Sequence, residues 1–265
     1  MEVAETNAIV LCADDYGIAP GVGTAIRDLL EQRRLSAVSC MTVFADFAHE
    51  GPLLAPYEDR ADFGLHLTLT AERPLPALLR DAYAGRLDRV AMARQIDGQI
   101  DSFKTVMLRN PSFIDGHQHV HMLPGIRDHV LVRATQLGAT VRVLRAPPLA
   151  RLVRQPASLK ALALAIMGRV LSRGALRRGI AANSEFRGVR SFGETLPYRN
   201  LFIRMLAGAR DGCMIMCHPG LVDAVLTSRD SVTLPREAEY RYLASEEFAR
   251  DLAASHLRLG RIVAR

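Results

Sequence analysis

Polar residues interrupt this chain at one recurring place, the end of short apolar runs of the kind that form buried strands. Ala8–Ala13 is rich in Val, Ile and Leu and stops at Asp14-Asp15-Tyr16-Gly17. The run Phe63–Leu69 contains Gly64 and His66, Phe113–Ile114 leads into Asp115-Gly116-His117, and Cys213–Cys217 ends at His218-Pro219-Gly220. Near-continuous apolar runs of this length suit strands covered on both faces, as in parallel sheets. Between them, Val22–Arg33, Val90–Val106, Ile126–Leu137, Leu201–Ala209 and Glu246–His256 read as helices, with apolar residues three and four apart. Further strands are expected at Ala37–Phe44, Val141–Leu144 and Leu259–Val263. Strand and helix alternate without an internal repeat or a low-complexity linker. The expected fold class is therefore α/β, a single irregular (β/α) barrel of mostly parallel strands over residues 1–265. A barrel of roughly 200–250 residues or more uses nearly the whole chain.

That architecture gives the polar positions a meaning. In a parallel barrel the C-terminal ends of all strands meet on one face, where such folds carry their active sites. Asp14, Asp15, His66, Asp115, His117 and His218 all fall at or near those ends. Ionised carboxylates at the end of a buried strand cost several kcal/mol unless they are paired or bound to a metal. Imidazole and carboxylate together suit zinc or another borderline divalent ion. Asp14 and Asp15 point to opposite sides if extended, whereas in a turn both reach the mouth, one to ligate and the other to act as a base. Asp115, His117, His119 and His121 fall at alternate positions. A strand places all four on one face, and a helix pairs His117 with His121. In neither case do all of them reach one small ion. Two His and one Asp would leave positions open for water and substrate, as a hydrolytic site requires.

Composition narrows the classes. The longest apolar run, Ala161–Met167, is far short of the ~20 residues of a membrane span. Met1–Asn7 has no Lys or Arg, unlike the start of a signal peptide, so a cytoplasmic location is expected. Cys12, Cys40, Cys213 and Cys217 show no CxxC spacing and read as buried reduced thiols. The net charge of +6 is local: nine Lys or Arg and no acid lie between Arg142 and Ser184, and the remainder is mildly acidic. A nucleic-acid partner is therefore not expected. The basic residues mark a helical insertion around 150–190. There Ser158 is expected to cap a helix over Leu159–Arg178. Arg169, Arg173 and Arg177 form a cationic stripe on it, with Leu159, Leu162, Ile166 and Val170 on a different side. Such a helix suits peripheral contact with an anionic membrane face, beside a lipid-linked substrate.

Four pieces resemble the YdjC-like carbohydrate deacetylases: Ala13-Asp14-Asp15-Tyr16-Gly17, Gly64-Leu65-His66-Leu67, Asp115-Gly116-His117-Gln118-His119-Val120-His121-Met122-Leu123-Pro124 and Met216-Cys217-His218-Pro219-Gly220. They occur in the family's order and at similar spacing, and the long third piece is specific. Gly116 stands where other members often carry Ser or Asn. The resemblance implies an irregular (β/α) barrel related to polysaccharide deacetylases, one divalent ion and removal of an N-acetyl group from an amino sugar. The ion would be zinc or magnesium, with nickel or cobalt as further candidates. It implies Asp15, His66 and His117 as metal ligands, Asp14 as the base and His218 as the acid. Asp115, His119, His121 and Arg145 are left as supporting or substrate residues, with Arg145 placed to pair with Asp14 or Asp115. His49, His129 and His256 lack such a context. The competing class is another metallohydrolase, an amidohydrolase or phosphoesterase barrel, although those normally carry H-x-H on the first strand. A non-catalytic sugar- or lipid-binding module would need neither Asp14 nor His218.

Overall fold

The first apolar run forms the longest strand, β1 (Asn7–Tyr16), buried from Ile9 onward because other elements cover both of its faces. The computed structural model describes residues 6–144, 158–190, 192 and 196–262. Around β1 stand β2 (Ala37–Cys40), β3 (Asp62–Leu67), β4 (Phe113–Gly116), β5 (Thr140–Val141), β6 (Glu185–Arg187), β7 (Cys213–Cys217) and β8 (Leu257–Leu259). The strand order is β5-β4-β3-β2-β1-β7-β6, with β8 paired to β1. Every ladder is parallel, which is the mostly parallel barrel expected from the alternation.

The two ends of that order meet. Val141 and Ala182 form a parallel bridge, and the Val141 amide donates to the Ala181 carbonyl at 3.2 Å. Beyond the bridge the Asn183 side chain replaces a ladder. Its Oδ1 accepts from the Val143 amide at 2.8 Å, and its Nδ2 donates to the Val143 carbonyl at 2.8 Å. Of the four-residue strand expected at Val141–Leu144 only Val141 lies in β5: the Arg142 amide makes a last bond to the Ile114 carbonyl of β4 at 3.1 Å, and Val143 then pairs with a side chain instead of a strand.

Helices cover the outside: α1 (Pro20–Glu31), α2 (Phe47–Glu50), α3 (Leu75–Tyr83), α4 (Arg89–Met107), α5 (Arg127–Leu137), α6 (Ser158–Arg177), α7 (Tyr198–Leu206), α8 (Ala224–Arg229), α9 (Leu234–Leu243) and α10 (Glu246–Ala254). The periodicity marks α4 correctly: Met92, Ile96, Ile100 and Phe103 are its buried line. The Asp88 carboxylate caps this helix by accepting from the Val90 and Ala91 amides at 3.0 Å. The pattern leaves α2, α3, α8, α9 and β6 unmarked.

Two local features shape the mouth. A Cβ on Gly64 would come within 2.5 Å of the Phe113 ring, so β3 and β4 approach as closely as they do only with glycine there. Asp15 has φ +68, in the left-handed region that Asp tolerates better than most residues. The β1–β2 register shifts between Ala13 and Tyr16. That irregularity lets Asp14 and Asp15 both serve the same end of the barrel.

The helix in the basic segment departs from expectation. Ile166 (55% exposed) and Val170 (37% exposed) face outward with the exposed Arg169 and Arg173, not on a separate side. The buried side carries Leu164, Ala165, Gly168, Leu171, Gly174 and Ala175. The cause is close packing through small residues. A Cβ on Gly168 would lie 2.0 Å from the Leu144 carbonyl oxygen, and one on Gly174 would lie 2.6 Å from Leu131 Cδ1.

Candidate active site

Asp15 ends β1, His66 lies near the end of β3, and His117 follows β4. Their ligand atoms lie within 4.8 Å of one another. Asp15 Oδ1 is 3.2 Å from His66 Nε2 and 3.0 Å from His117 Nδ1. Asp15 and His66 are buried, whereas the His117 side chain is 23% exposed and leaves that side of the cluster open.

The surroundings decide which atoms remain for an ion. His66 Nδ1 is 2.7 Å from Asp115 Oδ1, and the Ser39 hydroxyl donates to the same oxygen at 2.5 Å. A proton held on Nδ1 by that carboxylate leaves Nε2 as the ligating nitrogen, the usual arrangement of a carboxylate behind a metal-bound histidine. On Asp15, Oδ2 accepts from Arg236 Nη2 at 2.6 Å, so Oδ1 remains. Arg236 is itself held by Asp230 at 2.6 Å and by the Val232 carbonyl at 3.0 Å.

Asp14 is held differently. Arg142 donates to both of its oxygens, Nη1 to Oδ2 at 2.6 Å and Nη2 to Oδ1 at 2.7 Å, a bidentate clamp. Arg142 Nη2 also lies 2.6 Å from Asp115 Oδ2 and 2.9 Å from Cys12 Sγ. Cys12, Asp14 and Asp115 form a second close group of metal-type side chains. A guanidinium already occupies it, and the apolar surroundings push the Cys12 thiol well up, so it does not offer a thiolate.

Charge accounts for these pairings. Burial alone would raise the Asp15 pKa, but Arg236 and then His117 overcome it and hold the carboxyl well below its usual range. Asp115 is likewise held low against burial by Arg142 and His66. Burial would lower His66, yet Asp115 and Asp14 lift it to about 10. Asp14, Asp15 and Asp115 bring more negative charge into the interior than Arg142 and Arg236 supply. A proton on His66 or a bound cation makes up the difference. The donor set, its open side and this charge deficit together fit one divalent ion at Asp15, His66 and His117.

The remaining histidines separate. Gln118 and His119 have φ of +51 and +64, so the segment after β4 is neither strand nor regular helix and its three His diverge. His119 packs edge-on against Phe186 at 6.3 Å between centroids. His121 is fully buried, and its Nε2 lies 2.9 Å from the Arg142 carbonyl, where a proton on that nitrogen makes it the donor. Burial depresses its pKa to about 4, so it is neutral. A Cβ on Gly116 would come within 3.0 Å of the His121 amide and ring, which accounts for glycine at this position. His218, at the end of β7, is half-buried, with its ring 5.3 Å from that of Phe192. Its amide donates to Glu239 Oε2 at 2.6 Å. Enclosure of the ring lowers its pKa, with Asp15 and Glu239 opposing. Arg145 lies outside the described residues, and the arginine that reaches Asp14 and Asp115 is Arg142. Arg142, Arg236, Ser39 and Glu239 were not anticipated. For Arg142 there was a signal, a lone charge between Val141 and Val143 in an apolar stretch.

The family model for YdjC-like proteins matches residues 8–254. Chitooligosaccharide deacetylases of Yersinia pestis (strain Pestoides F) and Yersinia pseudotuberculosis serotype O:1b (strain IP 31758) are each 28% identical over 270 residues. Each alignment covers 95% of this chain and 96% of the relative. Among solved structures, a candidate cellobiose-phosphate cleavage protein of Enterococcus faecalis V583 superposes with a TM-score of 0.72 at 18% identity, over 97% of this chain and 98% of that one. The Bc1960 peptidoglycan N-acetylglucosamine deacetylase superposes with a TM-score of 0.50 at 12% identity, over 96% and 86%. These two likenesses concern the fold. The chain belongs to the YdjC-like family.

Proposed function

We propose that this YdjC-like chain hydrolyses the N-acetyl group of an amino sugar, releasing acetate and leaving a free amine on the sugar. The observation that carries the reading is the division of labour at the end of β1. Asp15, with His66 and His117, leaves one oxygen and two ring nitrogens for an ion. Asp14, next in the chain, is clamped by Arg142 and belongs to a different group. The Yersinia relatives' name supports a carbohydrate amide as the substrate class. Two nitrogens and one oxygen suit zinc better than magnesium, which prefers an all-oxygen shell.

When bound, the ion supplies polarisation of the acetyl carbonyl and a lowered pKa for the attacking water. Asp14 takes the proton from that water. Each of its oxygens accepts one bond from Arg142 and keeps capacity for another, and the clamp fixes its orientation. His218 gives a proton to the departing nitrogen. Because its pKa is depressed, it rests neutral, so the proton it gives must first reach it: the one Asp14 takes from the water is passed through solvent in the mouth to His218 and from there to the departing nitrogen, which leaves both groups as they began. Asp115 and Ser39 hold His66 in one orientation. The four cysteines, all free and buried, fit the reducing cytoplasm.

The test is acetate release after chelation and re-addition of zinc, magnesium, nickel or cobalt. Substrates are N-acetylglucosamine oligomers and the same sugar on a lipid carrier, with phosphate release from phosphoesters assayed in parallel. Ion-dependent acetate release is expected. Phosphate release without acetate would replace this reading with a phosphoesterase.

A further inference from the structure

We propose that the outward face of α6 is a docking surface for an anionic lipid bilayer. On that face Arg169, Arg173 and Arg177 are exposed, and none of them makes a hydrogen bond or ion pair among the described residues. Some arginines elsewhere, such as Arg199 and Arg261, are paired with a carboxylate, whereas these three stand together on one helix with no acid near them in the sequence. The unpaired state has a plain cause, since no Asp or Glu occurs from Arg142 to Ser184. The rest of the chain is net negative, so an anionic surface attracts this side of the molecule and repels the others.

Charge alone would suit any polyanion, and the apolar residues make the choice. Ile166 is 55% exposed, Val170 37% and Leu176 80%, all on the helix that carries the arginines. At 100° per residue, Ile166, Val170, Arg173 and Arg177 fall on one stripe, with Arg169 and Leu176 along one flank. Arginines on such a face can hold their head groups at the phosphate level while neighbouring aliphatic chains enter the acyl boundary. A single-stranded nucleic-acid surface would instead interleave its arginines with aromatic rings, and α6 has none; a duplex would have no use for the exposed aliphatic side chains between them. No described helix is long and apolar enough to cross a membrane, so the contact is peripheral. The proposal rests on exposure and charge and does not depend on the reaction assigned to the mouth.

The full chain is tested by co-sedimentation with phosphatidylcholine vesicles, with and without phosphatidylglycerol. Sedimentation is expected only with the anionic lipid and should weaken as salt is added. Changing Arg169, Arg173 and Arg177 to Gln should lower partitioning about a hundredfold, roughly fivefold per arginine. Ile166→Ser with Val170→Ser should also lower it at unchanged charge. Since the chain has no Trp, a Val170→Trp reporter should shift to the blue on anionic vesicles alone. Thermal melts confirm that each variant is folded. Absence of sedimentation at low salt, or insensitivity to the arginine changes, overturns the proposal. Binding that survives the Ser pair, with no shift of the reporter, overturns the role given to Ile166 and Val170.

Discussion

Asp14 and Asp15 share a peptide bond, both are buried and each meets an arginine, yet their carboxylates are left with different capacities. Arg142 takes both oxygens of Asp14. Arg236 takes one oxygen of Asp15, and the other faces two imidazoles. The left-handed backbone at Asp15 makes this division possible by turning one side chain away from the alternation of β1. What a carboxylate can do here follows from which of its lone pairs the protein has already used, not from its residue type.

The difference is broken most completely on the Asp15 side. His66→Ala, His117→Ala and Asp15→Asn should each abolish ion binding, read by metal analysis of the purified protein, and activity should vanish with it. On the other side, Asp14→Asn should retain the ion and lose turnover by ~10²–10⁴-fold, the usual contribution of a general base. If Asp14→Asn also lost the ion, the two carboxylates would not be functionally distinct.

Acid should attack the Asp14 side first. His121 carries the Arg142 carbonyl, and its pKa is depressed from 6.5 to about 4 by burial. A depressed histidine stabilises the fold above its unfolded pKa and loses that contribution as pH falls toward the folded value. Stability should therefore drop between pH 6.5 and 4 by about 3 kcal/mol from this group alone. In His121→Gln the slope of stability against pH over that range should flatten, as measured by denaturant titration. A smaller effect sharpens the comparison from the Asp15 side. Arg236→Met frees Oδ2 and should weaken ion affinity by ~10–100-fold, as changes to groups behind a ligand do. Calorimetric titration of the ion reads it directly.

Much of this was legible from residue order, because parallel strands put their ends together whatever the loops do. Asp14, Asp15, His66, His117 and His218 stand at strand ends for that reason. A strand running to Leu144 points to Arg145 as the clamping arginine, whereas the strand ends at Val141 and Arg142 turns inward. Arg236 was out of reach of any local pattern, lying 221 residues from its partner in a helix that periodicity did not mark. The divergence of His117, His119 and His121 depends on two left-handed residues, Gln118 and His119, that neither a strand nor a helix pattern anticipates. On α6 the larger apolar residues suggested the buried side, but glycine decided it, since Gly168 and Gly174 allow an approach that leucine would forbid.

The barrel is thinnest where Arg142 enters it. β5 contributes two residues, and the Asn183 amide stands in for the missing ladder. A seam with so few backbone bonds opens in local fluctuations at lower free energy than the interior strands. Opening of the seam should therefore loosen the clamp on Asp14, whereas Asp15 is tied through Arg236 to α9 and does not depend on it. Hydrogen exchange at the Val141 and Val143 amides, both bonded across that seam, is a clock for how often Asp14 is unclamped, and it runs without substrate.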